Sequence, residues 1–113
     1  MIRPNRYYSN KQEKQIAKKI GGKQQSNSGA TAFQKGDIIT DLFLIEAKTC
    51  TTEKKSFTIK KEWLDKNKEE AFAMGKSYNA LAFNFGEDTP NYYVVDEKTF
   101  KKIVQLFKED DYE

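Results

Sequence analysis

The 113-residue sequence contains no histidine. A Ser-His-Asp triad is therefore impossible, a Cys-His pair likewise, and the commonest general base is missing. Cysteine is nearly absent too. Cys50 stands alone, so no internal disulfide can form, and without histidine it cannot belong to a zinc site. It reads as a small residue at a strand end. No run of about 18 apolar residues exists to span a membrane, and no signal-peptide pattern opens the chain, so the expected location is the cytoplasm. Glycine is sparse, and the phosphate-cradling spacing G-x-x-x-x-G-K-[ST] is missing, so no nucleotide cofactor is expected. The length suits one domain over residues 1–113 with one core, and is too short for two. Any catalysis by this chain has to come from carboxylates, lysines and metal.

What the sequence does have is charge, unevenly placed. Residues 1–35 hold eight Lys or Arg against Glu13 alone, a local charge of +7, whereas residues 36–113 hold twelve against sixteen acids, a charge of −4. The basic end is the expected phosphate-facing end, with affinity that falls steeply as salt rises. A solvated basic tail is the plainer alternative.

One stretch brings acids and a lysine together: Lys35-Gly36-Asp37-Ile38-Ile39-Thr40-Asp41-Leu42-Phe43-Leu44-Ile45-Glu46-Ala47-Lys48. It reads as a β-hairpin. Side chains alternate faces along a strand, so Glu46 and Lys48 share a face that Ala47 does not. If the chain reverses around Asp41 and Leu42, Asp37 comes opposite Glu46 at a separation where two side chains can share one ligand. Two facing acids repel, and a hard divalent cation such as Mg²⁺, which takes oxygen ligands and keeps several waters, removes that cost. Lys48 would then reach a metal-bound water or a phosphate oxygen. An exposed strand face with an ordinary Glu/Lys pair fits the bare E-x-K pattern as well. Asp41 is a rival ligand, although alternation and the turn point it to solvent.

The remaining elements follow from period and punctuation. Residues 1–8 read as an arm, and Ser9-Asn10-Lys11-Gln12 as a capping box opening a helix that stops at Gly21-Gly22. Ile16, Ala17 and Ile20 form its buried stripe, and Glu13 borders it. Lys23 to Gly36 is almost wholly polar or small, a loop signature. Ser56 to Lys60 alternates as a third strand after the hairpin. Lys61 to Met74 reads as a helix burying Trp63, Leu64, Ala71 and Phe72. Asn79 to Phe85 and Tyr92 to Val95 read as strands, and Asp96 caps a last helix with Phe100, Ile103, Val104 and Phe107 at i, i+3, i+4 and i+7. The acidic end, residues 108–113, is expected to fray. The order α-β-β-β-α-β-β-α predicts an α/β fold, one mixed sheet flanked by helices.

Taken together, Glu13 in the first helix, Ser28-Gly29 in the polar loop, Asp37 in its Lys-Gly-Asp-Ile turn and Glu46-Ala47-Lys48 resemble the PD-(D/E)XK nucleases. The resemblance is greatest to archaeal-type Holliday-junction resolvases and their phage-encoded relatives, and covers roughly residues 9–107. It implies a restriction-endonuclease-like core and a Mg²⁺-dependent endonuclease, Mn²⁺ substituting, that hydrolyses phosphodiester bonds in Holliday junctions or other branched DNA. It implies that Asp37, Glu46 and the Ala47 carbonyl hold the metal, that Glu13 completes the shell directly or through water, and that Lys48 assists the attacking water. A surface helix acid is the other reading of Glu13. The resemblance also implies a homodimer, located in the host cytoplasm if phage-encoded. Arg3, Arg6, Lys11, Lys14, Lys18, Lys23, Ser28, Gly29 and Lys35 are the expected DNA contacts. A non-catalytic nucleic-acid-binding module of the same fold, or a nuclease acting on ordinary duplex, are the alternatives.

Overall fold

The computed structural model describes residues 5–25 and 37–111. Arg3, Ser28, Gly29 and Lys35 lie outside the described residues, as does the side chain of Arg6. The chain runs α1 (Asn5–Ile20), β1 (Lys23–Gln24), β2 (Asp37–Ile39), β3 (Phe43–Lys48), α2 (Lys61–Ala73), β4 (Tyr78–Phe83), β5 (Tyr92–Val94) and α3 (Glu97–Asp111). This is the expected α/β order. The strands form one mixed five-stranded sheet, β1-β2-β3-β4-β5, antiparallel except for the β3–β4 pair. Parallel neighbours need a long crossover, and α2 supplies it. Among the described residues, no helix is long and apolar enough to cross a membrane.

Two faces of the sheet carry different chemistry. On one, Ile38, Ile45, Ala80 and Ala82 pack with Ile16 of α1, flanked by Ala17, Phe43, Ala47 and Val95. Strand alternation puts Leu44, Glu46 and Lys48 on the opposite face, under α2, with Leu81 and Phe83 of β4 beside them through the parallel register Glu46↔Leu81 and Lys48↔Phe83. Ala71 of α2 is buried, and Asn79 Nδ2 donates to the buried Asn67 Oδ1 at 2.8 Å, tying α2 to β4.

Several expectations are corrected. The helix already runs from Asn5, so residues 5–8 are not an arm, and the Ser9 capping box does not form. A proline ahead of a first helical turn costs no helical hydrogen bond, so its presence in the sequence does not hold off the helix that follows. Ser56 to Lys60 is not a strand. Its alternation is real, with Phe57 and Ile59 half-buried and their neighbours exposed, but β3 already pairs with β2 and β4. Phe57 instead stacks on Phe83 at 4.8 Å. The third strand comes from the polar loop, where Lys23–Gln24 pairs with β2. Phe72 is 86% exposed, because only Ala71 of that pair faces the sheet, and the acidic end continues α3 to Asp111.

The link from α1 to the sheet is tight. Gly21 takes φ +74°, the left-handed cap that glycine tolerates best. At Gly22 a Cβ would lie 2.8 Å from Ile38 Cγ2 and 3.0 Å from the Ile39 carbonyl oxygen, so helix and strand approach as closely as glycine permits. That contact sets Glu13 beside the start of the sheet.

Candidate active site

The hairpin forms with the expected register, Asp37 directly opposite Glu46. Its turn is closed locally: Thr40 Oγ1 accepts from the Phe43 N–H at 2.9 Å, and the Thr40 N–H donates to the Phe43 carbonyl at 3.0 Å. Asp41 sits exposed at the tip. The Asp37 carbonyl turns away from β3, accepting from the Gln25 N–H at 2.9 Å. Asp37 and Glu46 are therefore a non-hydrogen-bonded pair, the closer of the two kinds, at about 4.5 Å between Cα atoms. By the same alternation the Ala47 carbonyl faces the β2 edge of its strand, the side on which Asp37 lies.

Asp37 is only 5% exposed. Burial, then the charges of Glu46, Glu70 and Glu13, push its carboxyl up to about 7, with Lys48 opposing weakly. Burial likewise raises Glu13, partly offset where Gln24 Nε2 donates to its carboxylate at 2.8 Å. Glu70 on α2 is raised by burial and by Glu46, with Lys66 and Lys48 opposing. It lies two turns beyond Trp63 on α2 and was not anticipated from the sequence. Three acids thus act on Asp37, and Lys48 offsets them there.

Lys48 is held from two sides. Its ammonium pairs with Glu46 at 2.9 Å and lies 4.3 Å from the centroid of the Trp63 ring. Gln12, 2% exposed, fixes the strand end from α1: its Nε2 donates to the Lys48 carbonyl and to Asn91 Oδ1, each at 3.1 Å, while its Oε1 accepts from the Thr49 hydroxyl at 2.6 Å. Gln12 serves the site, not a helix cap. Its signal was its place four residues before Ile16, on the buried stripe.

Among the described residues, no three acids converge closely enough to form a metal cage. The direct three-carboxylate shell of Glu13, Asp37 and Glu46 is therefore not assembled; the Glu13 carboxylate is taken by Gln24, and it acts on Asp37 through space. Two facing carboxylates remain, and they fit Mg²⁺, which binds through one or two carboxylates and keeps waters in its other positions. A buried acid crowded by three others is the kind of site a cation stabilises.

No family model, curated protein or solved structure matches this chain. Function has to be read from the residues themselves.

The expected DNA contacts divide. Lys14, Lys18 and Lys23 are exposed and open to phosphate. Lys11 is not, because its ammonium is clamped by Glu87 at 2.8 Å and Asp88 at 3.0 Å in the β4–β5 loop. The two acids stabilise its charged form and compete with any phosphate.

The crowding at Asp37 has a thermodynamic consequence. Between its ordinary value of 3.8 and about 7, the folded chain retains a proton that the unfolded chain has released. Stability at this group therefore falls as pH rises through that window. Asp37→Asn removes the slope, so the variant is expected to melt above the wild type at about pH 8, with the gap closing toward about pH 4. Thermal denaturation across that range checks it, and identical melting on the alkaline side would show that Asp37 bears no such load.

Proposed function

We propose that this chain is a Mg²⁺-dependent endonuclease that cuts phosphodiester bonds in branched DNA, four-way junctions foremost. The observation that carries this reading is the buried Asp37 facing Glu46 across the hairpin, with Lys48 two residues on and on the same face as Glu46. Asp37 and Glu46 would hold the ion, with the Ala47 carbonyl turned toward the same edge and Glu13 contributing through water. Bound there, Mg²⁺ would supply Lewis acidity at the scissile phosphate and lower the pKa of a coordinated water, and Mn²⁺ suits the same oxygen donors.

The chain's own residues do the rest. Lys48 orients or deprotonates the attacking water and offsets charge growing on the phosphorane, which favours a cation placed beforehand. Trp63 and Glu46 hold its ammonium near that position, and Gln12 holds its backbone. The exposed lysines of α1 take phosphates and fix the register of the DNA without reading its sequence. Symmetrical cutting of a junction takes two sites, and so two copies of the chain.

Calorimetric titration with Mn²⁺ tests the metal assignment apart from cleavage. Binding by the wild type, lost in Asp37→Asn and in Glu46→Gln, is the expected result; a wild type that binds no Mn²⁺ would contradict it. A non-catalytic nucleic-acid-binding module is the second reading. The Glu46–Lys48 pair and the Lys48–Trp63 stacking favour it, since they satisfy Lys48 without substrate. That reading expects DNA binding with no metal site.

Lys14 and Lys18 stand one turn apart and exposed on α1. Replacing both by alanine is expected to make the slope of log affinity against log salt shallower by about 1–2. An unchanged slope, measured by fluorescence anisotropy over a salt series, would remove α1 from the DNA interface.

A further inference from the structure

The last helix carries an apolar stripe that its own chain covers only in part, with Ile103 and Val104 half-buried. Phe100, Val104 and Phe107 recur along it, yet Phe100 is 57% exposed and Phe107 66%. Its start is capped locally, where the N–H of the buried Thr99 donates to Asp96 Oδ1 at 2.8 Å. Among the described residues, no helix or strand packs closely along the rest of α3. A lone helix of this length is marginal in water, and an amphipathic face gains its stability from a surface that covers it.

Charge indicates what that surface is. Glu97 and Lys108 lie eleven residues apart, close to three full turns, and so occupy one flank of the stripe. When two copies of α3 are laid antiparallel about a two-fold axis near Ile103 and Val104, Phe100 of each copy meets Phe107 of the other. The same operation sets Glu97 against Lys108 at both ends. The halves agree with the flank. Glu97, Lys98, Lys101 and Lys102 sum to +2, and Lys108, Glu109, Asp110 and Asp111 to −2. Antiparallel pairing lays the basic half of one copy beside the acidic half of the other. A parallel pair would set like against like.

We propose that α3 is a self-association surface through which a second copy of this chain docks antiparallel, centred on Phe100 and Phe107 and flanked by two Glu97–Lys108 pairs. The proposal does not depend on the nuclease reading. Four phenylalanines at roughly 200 Å² each, somewhat over half of it open, offer on the order of 500 Å². A stable standard-size interface buries about 1,200 Å² or more. The patch falls short of that, so the expected dimer is reversible and concentration-dependent.

Sedimentation velocity over a concentration series tests it on the full chain. The wild type is expected to shift from monomer to dimer, and Phe100→Ser with Phe107→Ser to weaken association on the order of 100-fold or more. Glu97→Lys alone and Lys108→Glu alone are each expected to weaken it about 3- to 10-fold, and the two together to restore it to within about 2-fold. A wild type that stays monomeric, a dimer indifferent to the phenylalanine changes, or a double charge reversal weaker than either single one would overturn the proposal. Should the phenylalanine variant fail to fold by circular dichroism, the charge reversals, made at exposed positions, decide alone. The readout is mass, so an inactive protein that dimerises in this way would refute the nuclease reading and leave the helix pairing standing.

Discussion

Asp37→Asn, or Glu46→Gln, is expected to abolish cleavage of branched DNA while leaving DNA affinity unchanged or slightly higher. Both changes are nearly isosteric and keep the hairpin, which is closed by backbone register and by Thr40 rather than by either carboxylate. What each removes is a negative charge at the position proposed for Mg²⁺. Electrostatic stabilisation of that kind is worth several kcal/mol, and each 1.36 kcal/mol is tenfold in rate, so a loss on the order of 10³-fold or more is expected. Affinity moves the other way because either acid repels phosphate when no metal is bound. Single-turnover cleavage and an equilibrium binding titration in EDTA, run on the same variants, check both halves. Retained cutting by both variants would end the metal-site assignment.

Lys48→Ala has the second largest expected effect. Its ammonium lies 2.9 Å from a Glu46 oxygen, beside the proposed ligands without being one. The variant should therefore bind Mg²⁺ and DNA normally while its single-turnover rate falls on the order of 10²-fold or more, the size of general acid–base assistance. Lys48→Arg should rescue poorly. Guanidinium stays protonated and is planar and bulkier, so it offsets charge but takes no proton from water. It also has to fit between Glu46 and the Trp63 ring, a place shaped by a compact ammonium 4.3 Å from the ring centroid. An arginine variant that cuts at nearly the wild-type rate would reduce Lys48 to a cation, and an alanine variant that does so would make it an ordinary strand lysine.

Much of the site was legible because a hairpin is a local object. Asp37 and Glu46 meet through a tight turn and a two-residue period, and both can be counted along the chain. The last helix was equally plain from its period, and its Asp96 cap forms as expected. What the period could not convey is whether the stripe is covered within the chain, since amphipathicity specifies a buried face without naming its partner. The same limit explains Ser56 to Lys60, where alternation is present but β3 is already paired on both sides.

The residues that escaped attention are polar ones on buried faces. Gln12 fitted a capping pattern that competed with its place on the inward stripe, and a helix beginning at Asn5 leaves that pattern in mid-helix. Glu70 sits beside Ala71 on a helix read for its apolar residues, and only packing of α2 across β3 and β4 brings it toward Asp37. Lys11 was counted as a phosphate contact from local charge alone, and its partner Glu87 comes from 76 residues away in sequence. Such long-range pairings carry no local signal.

The central claim is that the Asp37–Glu46–Lys48 face cuts branched DNA with Mg²⁺. Incubating the wild type with a labelled four-way junction and a matched linear duplex, each with Mg²⁺ or with EDTA, tests it most directly, with Asp37→Asn as the control for contaminating nuclease. Paired cuts near the branch point, present with Mg²⁺, absent with EDTA and absent in the variant, are the predicted result. Junction that is bound yet uncut in Mg²⁺ and in Mn²⁺, or cutting that persists in Asp37→Asn, would contradict it.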